Sequence, residues 1–148
     1  MSSLLIHPQT KLKVTGYLNQ PTHALLLTGE EGSGKLHLSK WLGDQLQLTR
    51  YIVEAEEGKS AISIDQVRDL YTLTKTGSAL LVIIKDAHNL SKEAQNAFLK
   101  LLEEPPKEVR FILTTDNNDA ILSTIRSRSQ EIRILPLAKR EIQKIGRA

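Results

Sequence analysis

The stretch from Leu25 to Lys40 constrains this chain more than any other, because it sets a glycine-rich loop between an apolar run and a helical repeat. Ala24 to Thr28 is short, apolar and suited to a buried strand, while Leu38, Trp41, Leu42 and Leu46 recur at helical spacing. Between them Gly29, Gly32, Gly34 and Lys35 satisfy G-x-x-x-x-G-K, the pattern of a phosphate-binding loop. In such a loop backbone N–H groups wrap the phosphates, the lysine reaches the outer ones, and a following Ser or Thr hydroxyl ligates Mg²⁺. Leu36 stands where that hydroxyl is needed, and leucine cannot ligate a metal.

The remaining segments alternate between the two regular structures. Apolar spacing at Leu12, Val14 and Leu18 predicts a leading helix from Pro8 to Leu18, stopped before Pro21. Tyr51 to Glu54 reads as a second strand. Ser63 and Gln66 form a capping box for a helix over Ile64 to Thr74, with Ile62 and Val67 placed as a hydrophobic staple. Ala79 to Ile84 is an unbroken aliphatic run, as a parallel strand buried on both faces requires. Ser91 caps a helix whose stripe is Ala94, Ala97, Phe98, Leu101 and Leu102, and Pro105-Pro106 ends it. Val109 to Thr114 gives a strand, Asp119 to Ile125 a short helix, and Glu131 to Leu135 a last strand. Alternation of this kind predicts an α/β fold with a parallel sheet.

A chain of 148 residues suits one domain that buries roughly two thirds of its unfolded surface. Its apolar runs are too short to span a membrane, and MSSLLIHPQT lacks the basic and long apolar segments of a signal peptide, so a cytoplasmic location without membrane contact is expected. With no cysteine and four histidines at unpaired spacings, no metal site is expected. A net charge of +3 is too small to establish an acidic partner, although Arg126, Arg128, Arg133, Lys139, Arg140, Lys144 and Arg147 crowd the end of the chain.

The buried strand that completes a phosphate-loop site usually ends in an acidic pair, an Asp that helps hold Mg²⁺ and in many cases a Glu that activates water. Here the pair is Lys85-Asp86. A lysine in the metal-holding place replaces attraction with repulsion of roughly 4 kcal/mol per unit-charge pair at 4 Å and an effective dielectric of 20. Leu36 and Lys85 have lost the same chemical job, which points to abandoned Mg²⁺-dependent hydrolysis. Lys35 and the loop amides remain, so weak or vestigial ATP or ADP binding stays open, with no cofactor required.

The segments LLLTGEEGSGK, EAEEGKSAISIDQVRDL, VIIKDAHNLSKEAQNAFLKLLEEPP, RFILTTDNND and TIRSRSQEI occur in an order that resembles the AAA+ module of bacterial clamp-loader subunits, the gamma and delta prime subunits of DNA polymerase III. NAFLKLLEEPP followed by SRS is the most specific part of the likeness. The resemblance implies a P-loop NTPase three-layer sandwich around a central parallel five-stranded sheet, with the core over residues 1–138 and the start of a lid or tail over 139–148, beyond which the family continues into a helical lid and a collar. It implies that the loop beginning at Gly29 is the Walker A motif and that Lys85-Asp86 lies in a degenerate acidic motif. Thr115 or Asp116 would fall at the sensor position, and Arg128 would act as an arginine finger in a neighbour's ATP site. Implied partners are other clamp-loader subunits in a ring, a sliding clamp and primer-template DNA. The damaged loop and acidic pair with a retained Ser127-Arg128-Ser129 resemble delta prime more than gamma.

Three functions follow for comparison: a non-hydrolysing scaffold that supplies Arg128 in trans, a working gamma-type ATPase with an unusual metal site, and a DNA-binding module using the basic end of the chain. Paired loss at Leu36 and Lys85 weighs against the second. An aromatic content of 4%, too low for a base-stacking strip, weighs against the third.

Overall fold

A computed structural model describes residues 6–136. Five strands, β1 (Ala24–Thr28), β2 (Thr49–Val53), β3 (Leu80–Ile84), β4 (Val109–Thr115) and β5 (Gln130–Arg133), form one sheet in the order β2-β3-β4-β1-β5. Every pairing is parallel. The helices are α1 (Pro8–Asn19), α2 (Lys35–Gln45), α3 (Ile64–Thr74), α4 (Lys92–Glu103) and the single turn α5 (Ser123–Arg126).

The strands turn alternate residues to opposite faces, and the core divides accordingly. On one face Leu26, Val82, Ile84, Phe111 and Leu113 meet α3 and α4 through Val67, Leu70, Ala94, Phe98 and Leu101. On the other, Leu25, Leu27, Leu81, Ile83, Ile112 and Ile132 meet α1 and α2 through Val14, Tyr17, Leu38 and Leu42. Both faces of the central strands are thus covered, giving three layers. β1 and β3 are buried along their whole length, as their unbroken aliphatic sequences demand.

Specific aromatic and polar contacts tie the elements together. Phe98 meets Phe111 edge to face, with ring centroids 5.3 Å apart. The Tyr71 hydroxyl of α3 donates to the Ala97 carbonyl of α4. Thr10 on α1 accepts from Leu135 N at 3.1 Å, tying that helix to the chain leaving β5. The capping box of α3 is formed in both directions, Gln66 N to Ser63 Oγ at 3.3 Å and Ser63 N to Gln66 Oε1 at 3.0 Å. Gln66 Nε2 then reaches Glu54 O at 2.7 Å, so one side chain caps α3 and holds the chain leaving β2. Ile62 and Val67 lie fully buried in the same core cluster.

The expected helix over Asp119 to Ile125 is the main departure. A 3₁₀ turn over Asn118–Ala120 is followed by extended backbone at Ile121 and Leu122, and only then by α5. The buried Gln95 of α4 causes the break: its Nε2 donates to Ala120 O at 3.0 Å and its Oε1 accepts from Leu122 N at 2.8 Å. An intrahelical ladder would need those two groups for itself. The outer strands shift by one or two residues from expectation: β2 starts at Thr49 rather than Tyr51, and β5 covers Gln130–Arg133 rather than Glu131 to Leu135. The proposed lid segment 139–148, with Lys139, Arg140, Lys144 and Arg147, lies outside the described residues.

Candidate nucleotide site

The sheet order places β4 between β3 and β1, so the carboxyl ends of these three strands open side by side. Parallel α/β sheets put their ligand crevices at such ends. The crevice here has a volume of about 620 Å³ and is lined by Glu31, Gly32, Gly34, Lys35, Leu36 and His37 from the loop and α2, Lys85, Asp86 and His88 after β3, and Thr114 and Asp116 from the end of β4.

The loop's glycines have separate physical reasons. Gly32 and Gly34 hold φ of +80° and +89°, left-handed values that cost little only without a Cβ. Gly29 is limited by space instead, since a Cβ there would lie 2.8 Å from Ser33 Oγ and 3.3 Å from both Cβ and O of Ile134. Gly34 is the N-cap of α2 and supplies no side-chain cap, so the first amides of that helix face the crevice without competition from a side chain. This half of the site fits a phosphate.

Lys35 is 8% exposed, and its Nζ donates to Gly29 O and Glu30 O, both at 2.8 Å, and to Ser33 Oγ at 3.4 Å. All three ammonium protons have acceptors inside the loop. Leu36 packs partly against the core cluster beneath α2 and brings methyl groups to the crevice wall. Lys85 Nζ lies 3.5 Å from Glu54 Oε1, in a partly exposed ion pair. Asp86 adopts φ 54° and ψ 60°, with its amide donating to Thr114 Oγ1 at 2.9 Å. The crevice lining thus carries two lysines and three carboxylates, those of Glu31, Asp86 and Asp116. The donor set does not fit Mg²⁺: Leu36 offers no ligating atom, Lys85 brings a cation, and among the described residues no three His, Asp or Glu side chains are grouped to hold a metal ion.

Of the two sensor-position residues, Thr115 is fully buried and Asp116 lines the crevice. The Thr115 hydroxyl accepts from Asn117 N at 3.0 Å, donates to Asn117 O at 3.1 Å and meets His88 Nδ1 at 2.9 Å, while His88 Nε2 lies 3.5 Å from Asp116 Oδ1. Glu31 and His37 sit in and just after the loop at positions its pattern leaves free, and no spacing rule connects His88 to the loop, so the sequence singled out none of the three. Arg128 is apart from this crevice, beyond the end of α5. Its Nη1 donates to Thr124 O at 3.1 Å, and its Nη2 stands 4.0 Å from Glu103 Oε1 of α4.

Residues 48–138, well over half of the chain, match the family model described as DNA polymerase III, delta subunit. The chain belongs to this family. Among its relatives, the chain is 35% identical to DNA polymerase III subunit delta' of Yersinia pestis over 68% of its own length and 31% of the relative's. It is 30% identical to DNA polymerase III subunit gamma of a Buchnera aphidicola strain over 81% of this chain and 40% of that one. The chain therefore spans between about a third and two fifths of these two relatives. A solved DNA polymerase III gamma subunit-related protein from Thermotoga maritima superposes with a TM-score of 0.76 at 23% identity, covering 94% of this chain and 49% of the other, which shows a shared fold. The clamp-loader resemblance and the AAA+ P-loop fold expected from the sequence are both borne out. Within this DNA polymerase III family member, no helix among the described residues is long and apolar enough to cross a membrane.

Proposed function

We propose that this chain is the AAA+ module of a delta prime-type clamp-loader subunit, acting in DNA replication in the bacterial cytoplasm as a scaffold that does not hydrolyse ATP itself. In this role it joins other clamp-loader subunits in a ring that handles a sliding clamp and primer-template DNA, and it presents Arg128 to a neighbour's ATP. The observation that carries the proposal is that Leu36 and Lys85, distant in sequence, line one crevice, at the two positions where the resemblance expects metal-holding groups. Any nucleotide that enters meets phosphate-ready backbone but no Mg²⁺ ligands, so its binding is weak or vestigial. The delta' relative at 35% identity supports the same type.

Arg128 suits the trans role by its chemistry. A guanidinium is always charged and presents a planar fork of donors, which matches charge spreading over a transferring γ-phosphoryl group. Its position outside its own crevice leaves it available to another subunit, and fingers supplied in trans accelerate GTPases by roughly 10³ to 10⁵. The test places Arg128→Ala in the full-length subunit, assembled with an ATP-competent neighbour. ATP turnover per assembled complex is expected to fall. Undiminished turnover, with this subunit shown to be present, refutes the trans role.

A further inference from the structure

We infer that Gln95 is a positioning residue for Arg128, holding the one-turn helix α5 at the angle from which the arginine is presented; this rests on the trans role proposed above. Gln95 is 5% exposed, and its side-chain amide is spent on two backbone groups of one segment, donating to Ala120 O at 3.0 Å and accepting from Leu122 N at 2.8 Å. The orientation of the amide is forced, because a backbone N–H can only donate and a carbonyl can only accept.

Leu122 is the N-cap of α5 and offers no side-chain cap of its own. Its carbonyl accepts from Ile125 N at 3.0 Å and Arg126 N at 3.1 Å, so the position of this one residue sets the start of the turn. The other end of the turn carries Arg128, whose backbone N–H donates to Ile125 O at 3.1 Å and whose Nη1 donates to Thr124 O at 3.1 Å. A four-residue helix cannot sustain itself, because nucleation consumes most of what its few bonds return. The turn stands by anchoring: Ile121 and Ile125 sink into the core beside α4, and Gln95 supplies the directional bonds that apolar packing lacks. Hydrogen bonds therefore link Gln95 to Leu122, Leu122 to Ile125 and Ile125 to the backbone of Arg128, whose guanidinium returns to Thr124 O in the same turn.

The experiment uses the full-length subunit, alone and assembled with an ATP-competent neighbour. Gln95→Met keeps length and bulk but makes neither bond. Turnover per assembled complex is expected to fall roughly ten- to hundredfold, the scale of a misplacement near 1 Å, with KM for ATP little changed. Gln95→Met added to Arg128→Ala is expected to slow the complex no further. Gln95→Glu supplies a conservative variant: its protonated carboxyl can donate to Ala120 O and accept from Leu122 N, whereas its carboxylate cannot donate. Its turnover relative to wild type is expected to rise as pH falls. Hydrogen exchange at the Leu122 amide of the subunit alone reads the anchor independently of any finger and is expected to quicken in Gln95→Met. Wild-type exchange in Gln95→Met, wild-type turnover of its complex, or an equal further loss on the Arg128→Ala background overturns the inference. Loss of the trans role itself is read separately, from Arg128→Ala alone.

Discussion

Lys85 Nζ lies 3.5 Å from Glu54 Oε1, so this crevice-lining cation is turned toward a carboxylate just beyond β2. Both side chains are partly exposed, and such a pair contributes about 0–1 kcal/mol to stability. Its chemical effect is larger than its energy. It leaves a positive charge on the crevice wall with a partner already attached.

The isolated chain is therefore expected to hydrolyse ATP no faster than buffer. Leu36→Thr with Lys85→Asp returns a hydroxyl and an acid to the crevice and is expected to restore Mg²⁺-dependent affinity for a fluorescent ATP analogue. Hydrolysis need not follow, since Asp86 is one methylene shorter than the usual water-activating Glu. Titrations with and without Mg²⁺ check this, and an unchanged double variant would locate the defect in the loop backbone.

Lys35 has become part of the loop's own structure. Its buried ammonium holds Gly29 O and Glu30 O, and leaving a buried acceptor unpaired costs about 1–3 kcal/mol. Lys35→Met is expected to lower unfolding free energy by about 1–3 kcal/mol, read as a lower urea midpoint in the absence of nucleotide. A residue serving only a ligand would leave that midpoint unchanged.

Arg128 should behave in the opposite way. Its contact with Glu103 spans 4.0 Å between partly exposed groups, so Arg128→Ala is expected to change stability by no more than about 0.5 kcal/mol. Arg128→Lys should restore turnover of the assembled complex poorly, because lysine keeps the charge but not the fork. Thermal melts of the subunit and turnover of the complex, measured on the same preparations, test both halves.

Tyr17 gives the fold an alkaline limit. Burial pushes its phenol up to about 12 from 10.0, with nearby Arg110 pulling slightly the other way. Below pH 10 the phenol is protonated in both states and contributes no slope. As pH rises from 10 to 12 the unfolded chain loses its proton first, so stability falls by up to about 1.4 kcal/mol per pH unit. Tyr17→Phe is expected to flatten that limb in denaturant titrations. Near pH 7 it should leave stability equal or about 1 kcal/mol higher, since the buried hydroxyl has no hydrogen-bond partner among the described residues.

Much of this protein is legible in local sequence. The glycine loop, the capping box at Ser63 and Gln66, the Ser91 cap and the aliphatic runs of β1 and β3 act over a few residues, where backbone sterics and side-chain period decide the outcome. That Leu36 follows the loop lysine and Lys85 follows the buried strand could be read there too, because each position is set by its own strand or loop. What only the tertiary structure decided are pairings between distant segments. The sheet order brings the ends of β1, β3 and β4 to one crevice and adds His88 and Asp116 to its wall. Lys85 acquires Glu54 from the neighbouring strand end. Gln95 outweighs local helical preference at Asp119 to Ile125, because a buried amide must satisfy both its ends and the backbone at Ala120 and Leu122 is within reach. Propensity acts along the chain, whereas the demand that buried polar groups be paired acts through space.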